Sequence, residues 1–82
     1  MKVKVLFFAS AKEATGKKKV ELDLEGEENT VKHLMNKLEG MFPDLNFQRD
    51  QISLAVNQVY CSTGAILAEG DEVALLPPIS GG

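Results

Sequence analysis

A single cysteine, Cys61, excludes an internal disulfide and any CxxC metal or redox site in this 82-residue chain. It reads as a small buried apolar residue rather than a reactive thiol. Histidine is equally scarce, with His33 alone. No Ser/His/Asp or Cys/His constellation can be assembled with confidence from one of each, and no Cys or second His joins His33 as a ligand. His33 therefore reads as a solvated helix residue. P-loop, HExxH, GxSxG and dinucleotide fingerprints are all missing. No apolar stretch approaches the ~20 residues of a membrane span. The run inside "MKVKVLFFAS" is too short for a signal-peptide core and has no small-residue cleavage pattern, so a cytoplasmic protein is expected. A basic surplus is lacking too: 9 Lys and Arg stand against 12 Asp and Glu, for a net charge of -3. That balance argues against a general binder of phosphate backbones. Lys17-Lys18-Lys19 is the one basic run; it reads as a solvated hairpin end, with a binding patch as the alternative.

What is present fits one small domain. At this length roughly 60 to 65% of the unfolded surface is buried on folding, so the core is modest and leaves little room for a deep active-site cavity. A composition 44% hydrophobic and 26% charged is ordinary for a globular domain.

Residues 2–9, "KVKVLFFA", alternate. Val3, Val5 and Phe7 take one face, while Lys2, Lys4, Leu6 and Phe8 take the other, which predicts a strand. "SAKEATGKK" follows as a short polar connection in which Gly16 can supply a positive φ. "KVELDLE" alternates again, with Val20, Leu22 and Leu24 inward, and a hairpin with the first strand is expected. The period then changes. In "NTVKHLMNKLEGMF", Val31, Leu34, Met35, Leu38, Met41 and Phe42 form one helical stripe. Asn29 or Thr30 can cap its start and Pro43 forbids continuation. "ISLAVN" predicts a strand with Ile52, Leu54 and Val56 inward. A tight reversal at Asn57 leads into "VYC", and "EVALL" forms a last strand before Pro77. The order β-β-α-β-β-β implies an α+β β-grasp (ubiquitin-like) fold. It has a mixed sheet of about five strands with one main helix packed across it. The domain covers residues 1–76 and an extended C-terminal tail covers 77–82.

The chemistry is not in the side chains. Glu21, Asp23 and Glu25 lie on an alternating polar strand face, which a solvated surface explains better than a paired acid–base site. The distinctive group is the carboxylate of Gly82. Pro77 and Pro78 fix φ and favour an extended direction, and Gly81 and Gly82 have no Cβ, so a narrow channel can close around them. Six residues reach about 20 Å. Such a tail can deliver its carboxyl group into another protein's buried site; a frayed terminus is the competing reading. Strand parity adds a second clue. Phe8, Tyr60 and Leu76 can form an exposed apolar patch beside the root of the tail, and a patch of that kind marks a partner site unless loops cover it.

"KVLFFASAKEATG" at residues 4–16, "AVN" at 55–57 and "GDEVALLPPISGG" at 70–82 resemble, in order and spacing, the small sulfur-carrying subunit of molybdopterin synthase. The closing segment is the most specific part. One departure is Lys12-Glu13, where that family usually carries Arg-Glu; charge is kept, but a bidentate contact is lost. The resemblance implies that an ATP-dependent activating enzyme adenylates the Gly82 carboxylate and that a sulfur donor replaces AMP to leave a thiocarboxylate. It implies that Pro77, Pro78, Ile79, Ser80 and Gly81 carry that group into a pocket of the large subunit, where sulfur passes to cyclic pyranopterin monophosphate. The family assembly is a heterotetramer of two large and two small subunits, and Phe8, Tyr60, Leu76 and Lys12 are the residues expected to meet the partner. No bound cofactor or metal is expected, ATP being used by the activating enzyme. Rival readings are a ubiquitin-like protein modifier, a sulfur carrier of thiamine biosynthesis, and a plain interaction domain whose Gly-Gly ending is incidental.

Overall fold

Along the first strand, β1 (Lys2–Phe7), Val3, Val5 and Phe7 are buried while Lys2 and Lys4 are exposed, so the alternation in the sequence is the alternation of the sheet. Each of these side chains contributes about 1.5–3 kcal/mol by leaving water. The computed structural model describes residues 1–26, 29–45 and 51–78. Its elements run β1, α1 (Ala9–Thr15), β2 (Lys19–Asp23), α2 (Val31–Met41), β3 (Ser53–Val56), β4 (Val59–Cys61) and β5 (Glu72–Leu76). The five strands form one mixed sheet in the order β2-β1-β5-β3-β4. β1 pairs antiparallel with β2 and parallel with β5; β3 pairs antiparallel with both β5 and β4. This is the expected β-grasp arrangement.

The connection between the first two strands differs from the expected polar hairpin end. The first strand stops at Phe7 instead of running to residue 9, and the next seven residues wind into the helix α1. Phe8 is extended, and Ala9 then takes a φ of 49°, which turns the chain abruptly out of the sheet. α1 contacts β1 and β5, with Ala11 fully buried. Gly16 closes the helix at φ 72°, its N–H donating to the Lys12 carbonyl at 2.8 Å. The β1–β2 pair is antiparallel as expected, but a helix joins it.

α2 matches its stripe with one correction. Val31, Leu34, Met35 and Leu38 are buried, whereas Met41 is 46% exposed. The helix ends at Met41, and Phe42, the last position of the stripe, lies just past it as the C-cap residue and packs against the core while Met41 faces solvent. Thr30 is the cap: its Oγ1 accepts from the His33 N–H at 3.2 Å, worth about 1 kcal/mol. Pro43 stops the helix, and the chain turns through residues 43–45 to bury Leu45. Phe42 sits edge-on to Phe7, ring centroids 5.8 Å apart, which ties the end of α2 to β1.

β3 and β4 are joined by Asn57 and Gln58, with φ of 50° and 71°, the left-handed pair that a two-residue hairpin requires. Asn57 also latches this turn to the approach of β5. Its Nδ2 donates to Asp71 Oδ1 at 3.0 Å, and its Oδ1 accepts from the Glu72 N–H at 3.0 Å. Cys61, expected to be buried, is half-buried at the edge of the core because β4 is an edge strand.

Candidate functional site

The face of the sheet opposite α2 presents one transverse row of residues. Register places Lys19 beside Leu6, Leu6 beside Ala74, Ala74 opposite Ala55, and Ala55 opposite Tyr60. The small alanines make the centre of this row shallow. Leu76 lies opposite Ser53 one step nearer the tail, and Phe8 follows β1 at the same end. Because β1 and β5 are parallel, both strands finish at that end, and this brings Phe8 to the root of Pro77 and Pro78.

Phe8, Tyr60 and Leu76 are therefore together. Phe8 is 45% and Tyr60 75% exposed, with Leu76 half-buried between the sheet and solvent. All three line an open groove of about 500 Å3 that includes Ala9, Ser53, Pro77 and Pro78. They also line its continuation over Leu6, Ala55 and Ala74. No described loop lies over it. Pro77 is buried and Pro78 exposed. Ile79, Ser80, Gly81 and Gly82 lie outside the described residues.

Lys12 stands apart from the three. It projects from α1 into a neighbouring groove with Leu6, Phe8, Ala9, Lys18 and Lys19. The two grooves share Phe8 and Ala9. The resemblance put Lys12 among the partner-binding residues, whereas Lys18 and Lys19 read as part of a solvated hairpin end with a binding patch as the alternative, because a polar hairpin end in place of α1 gives those lysines no groove to line. Ala55 and Ala74 were missed as well, although strand parity alone places both on the outer face.

Two residues stay outside the site. His33 is half-buried on α2, on the other side of the sheet. Cys61 pairs with Leu54 on the core side of β4, the face opposite Tyr60. Burial pushes its thiol pKa up from the ordinary value, so the thiolate is suppressed at neutral pH. Neither position suits a sulfur relay to the groove. No helix among the described residues is long and apolar enough to cross a membrane.

The geometry has counterparts in known proteins. The ThiS family model matches residues 5–82 of this chain. The chain belongs to the ThiS family. A molybdopterin synthase sulfur carrier subunit from Dictyostelium discoideum is 38% identical over 81 residues, covering 96% of this chain and 94% of that protein. Among solved structures, SAMP1 from Haloferax volcanii superposes with a TM-score of 0.88 at 32% identity over 100% of both chains. A chain from the protein–protein complex of subunits 1 and 2 of the molybdopterin-converting factor from Helicobacter pylori superposes with a TM-score of 0.72 at 24% identity, again over 100% of both. The last likeness shows the fold. ThiS-family membership spans the whole site, from β1 through the Gly-Gly ending.

Proposed function

We propose that this chain is the sulfur carrier of a molybdopterin synthase and that the Gly82 carboxyl is its working group. The observation that carries the reading is the exposed apolar groove of Phe8, Tyr60 and Leu76 at the root of Pro77-Pro78, which joins a docking face to an outgoing tail. In the first step a carboxylate oxygen of Gly82 attacks the α-phosphate of ATP on an activating enzyme, and pyrophosphate leaves. Sulfur at the oxidation level of hydrosulfide then attacks the acyl carbon, AMP departs, and a thiocarboxylate remains. The tail carries this sulfur to the large subunit. There the sulfur bonds to a carbon of cyclic pyranopterin monophosphate as a carbon–oxygen bond of the precursor breaks and its oxygen leaves. Water then cleaves the acyl–sulfur bond, leaving sulfur on the pterin and the glycyl carboxylate free for another cycle. Gly81 and Gly82 suit the journey because a channel narrow enough to exclude water leaves no room for Cβ atoms. Pro77 and Pro78 reduce the freedom that the tail loses on entering it.

Likeness to SAMP1, a small archaeal modifier protein, supports a second reading in which a lysine amine attacks the same activated carbonyl and forms an isopeptide bond. Intact mass of protein from its native host separates the two. A thiocarboxylate is about 16 Da heavier than the carboxylate, while conjugation adds the mass of a whole target. Deleting Gly82, or extending the chain beyond it, is expected to abolish sulfur transfer with the fold intact. An extended protein that still transfers sulfur refutes the proposal.

A further inference from the structure

We propose that the groove between Leu6, Phe8, Lys12, Lys18 and Lys19 is a second docking subsite, which receives an acidic segment of the partner that covers the Phe8–Tyr60–Leu76 face. The proposal rests on the docking reading above and adds the chemistry of the partner at one corner of it. The open groove measures about 370 Å3 and is lined by apolar residues together with three lysines. Among the described residues none of the three is in an ion pair. The other outward lysines of the sheet are placed differently. Lys4 stands between Glu21 and Glu72 across its two ladders, and Lys2 stands beside Asp23. Lys19 stands beside Leu6. The sheet therefore places carboxylates beside its lysines at one end and leaves a positive corner, without an ion pair among the described residues, at the end where β5 runs into Pro77 and Pro78.

An acidic protein segment fits this corner better than a nucleic acid does. The chain carries a net charge of -3, and Glu21 and Asp23 follow Lys19 on the same face of β2, so no basic track continues along the sheet. The groove is also continuous with the docking face through Phe8 and Ala9, so a partner seated on Leu76 and Tyr60 reaches it without a separate contact. An apolar side chain of that partner would rest on Leu6 and Phe8 while its carboxylates meet the lysines. Such a rim sets orientation and encounter rate more than it sets affinity.

The test is binding of the purified large subunit from the same organism, measured at about 50 and 300 mM salt, where screening of exposed charges differs strongly. The full chain is compared with Lys12→Glu/Lys18→Glu/Lys19→Glu, with single Lys18→Glu and Lys17→Glu variants, and with Leu76→Asp. The triple variant is expected to bind roughly tenfold more weakly at low salt and to lose most of the salt dependence. Lys18→Glu is expected to show part of that loss, and Lys17→Glu, which lies outside the groove, little of it. Lys12→Gln/Lys18→Gln/Lys19→Gln serves as the second variant if charge reversal disturbs the fold. Unchanged affinity and salt slope in the triple variants, with Leu76→Asp still disruptive, overturns the subsite and leaves the docking face standing. Unchanged binding in Leu76→Asp overturns the docking face itself. Salt-sensitive capture of ATP or an oligonucleotide by these lysines, with partner binding unaffected, overturns the acidic segment as the occupant.

Discussion

Tyr60 stands directly opposite Ala55 across the β3–β4 ladder, yet Tyr60 is 75% exposed and Ala55 only 5%. The alanine is closed in on the outer face by its neighbours, and the tyrosine ring forms the wall beside it. A tyrosine has only two side-chain torsions to fix, so a large contact area at the rim of a shallow apolar groove comes at a low entropic cost on docking.

The first prediction follows from that exposure. Tyr60→Ala removes little buried area from the free domain and is expected to change its stability by less than about 0.5 kcal/mol. Binding to the large subunit should weaken by about tenfold or more, as for an aromatic anchor. Calorimetric titration and thermal melts on the same samples check both halves. A large fall in melting temperature with unchanged affinity would show that Tyr60 supports the fold instead.

Leu38 and Met41 provide a test of the helix stripe. Leu38 is fully buried, and Leu38→Ala should cost about 2–5 kcal/mol through lost burial and the cavity it leaves. Met41→Ala, one turn later and half in solvent, should cost under about 1 kcal/mol. Urea denaturation of the two variants gives the comparison, and similar losses would contradict the placement of Met41.

The turn at Asn57 combines a left-handed backbone with two side-chain hydrogen bonds, each worth about 0.5–1.5 kcal/mol. Asn57→Gly loses the bonds but keeps an easy backbone; Asn57→Ala loses the bonds and strains the turn by about 1 kcal/mol more. The alanine variant should therefore be the less stable of the two. Equal stabilities would mean that the φ of 50° is not maintained in solution.

Asp23 accepts from the N-terminal ammonium at 2.9 Å, and this hydrogen bond, with the charge of the same group, holds its carboxyl below the ordinary carboxylate value. A lowered folded pKa means stability that is present above the unfolded value, about 3.9, and lost as pH falls through the folded one. Asp23→Asn should thus lower the melting temperature slightly at neutral pH, and the gap should close on acidification below about pH 4. A gap that is independent of pH argues against the ion pair in solution.

The parts of this fold that could be read from the chain are those with a strong period. Val3, Val5 and Phe7, the stripe from Val31 to Leu38, and the outward parity of Phe8, Tyr60 and Leu76 follow from repeats of 2 and 3.6 residues. α1 could not be read that way, because a helix of seven residues that buries only Ala11 shows no stripe. Its absence from the sequence reading also hid the groove of Lys12, Lys18 and Lys19. Lys12 lies six residues before the Lys18-Lys19 pair, and the groove forms because Ala9 turns the chain out of the sheet into α1. Met41 was misplaced for the opposite reason: it has the period of the stripe but lies in the last turn of α2, where Phe42 packs against the core and Met41 faces solvent.

The parallel pairing of β1 with β5 has a mechanical consequence. The beginning of β1 and the end of β5 point to opposite ends of the same central ladder. Traction on the tail against the opposite end of the molecule therefore strains all of its rungs together in shear, instead of opening them one after another. A force applied through the C-terminal residues thus loads the part of the domain best able to resist it, and the fold is built to be pulled from that end without unravelling.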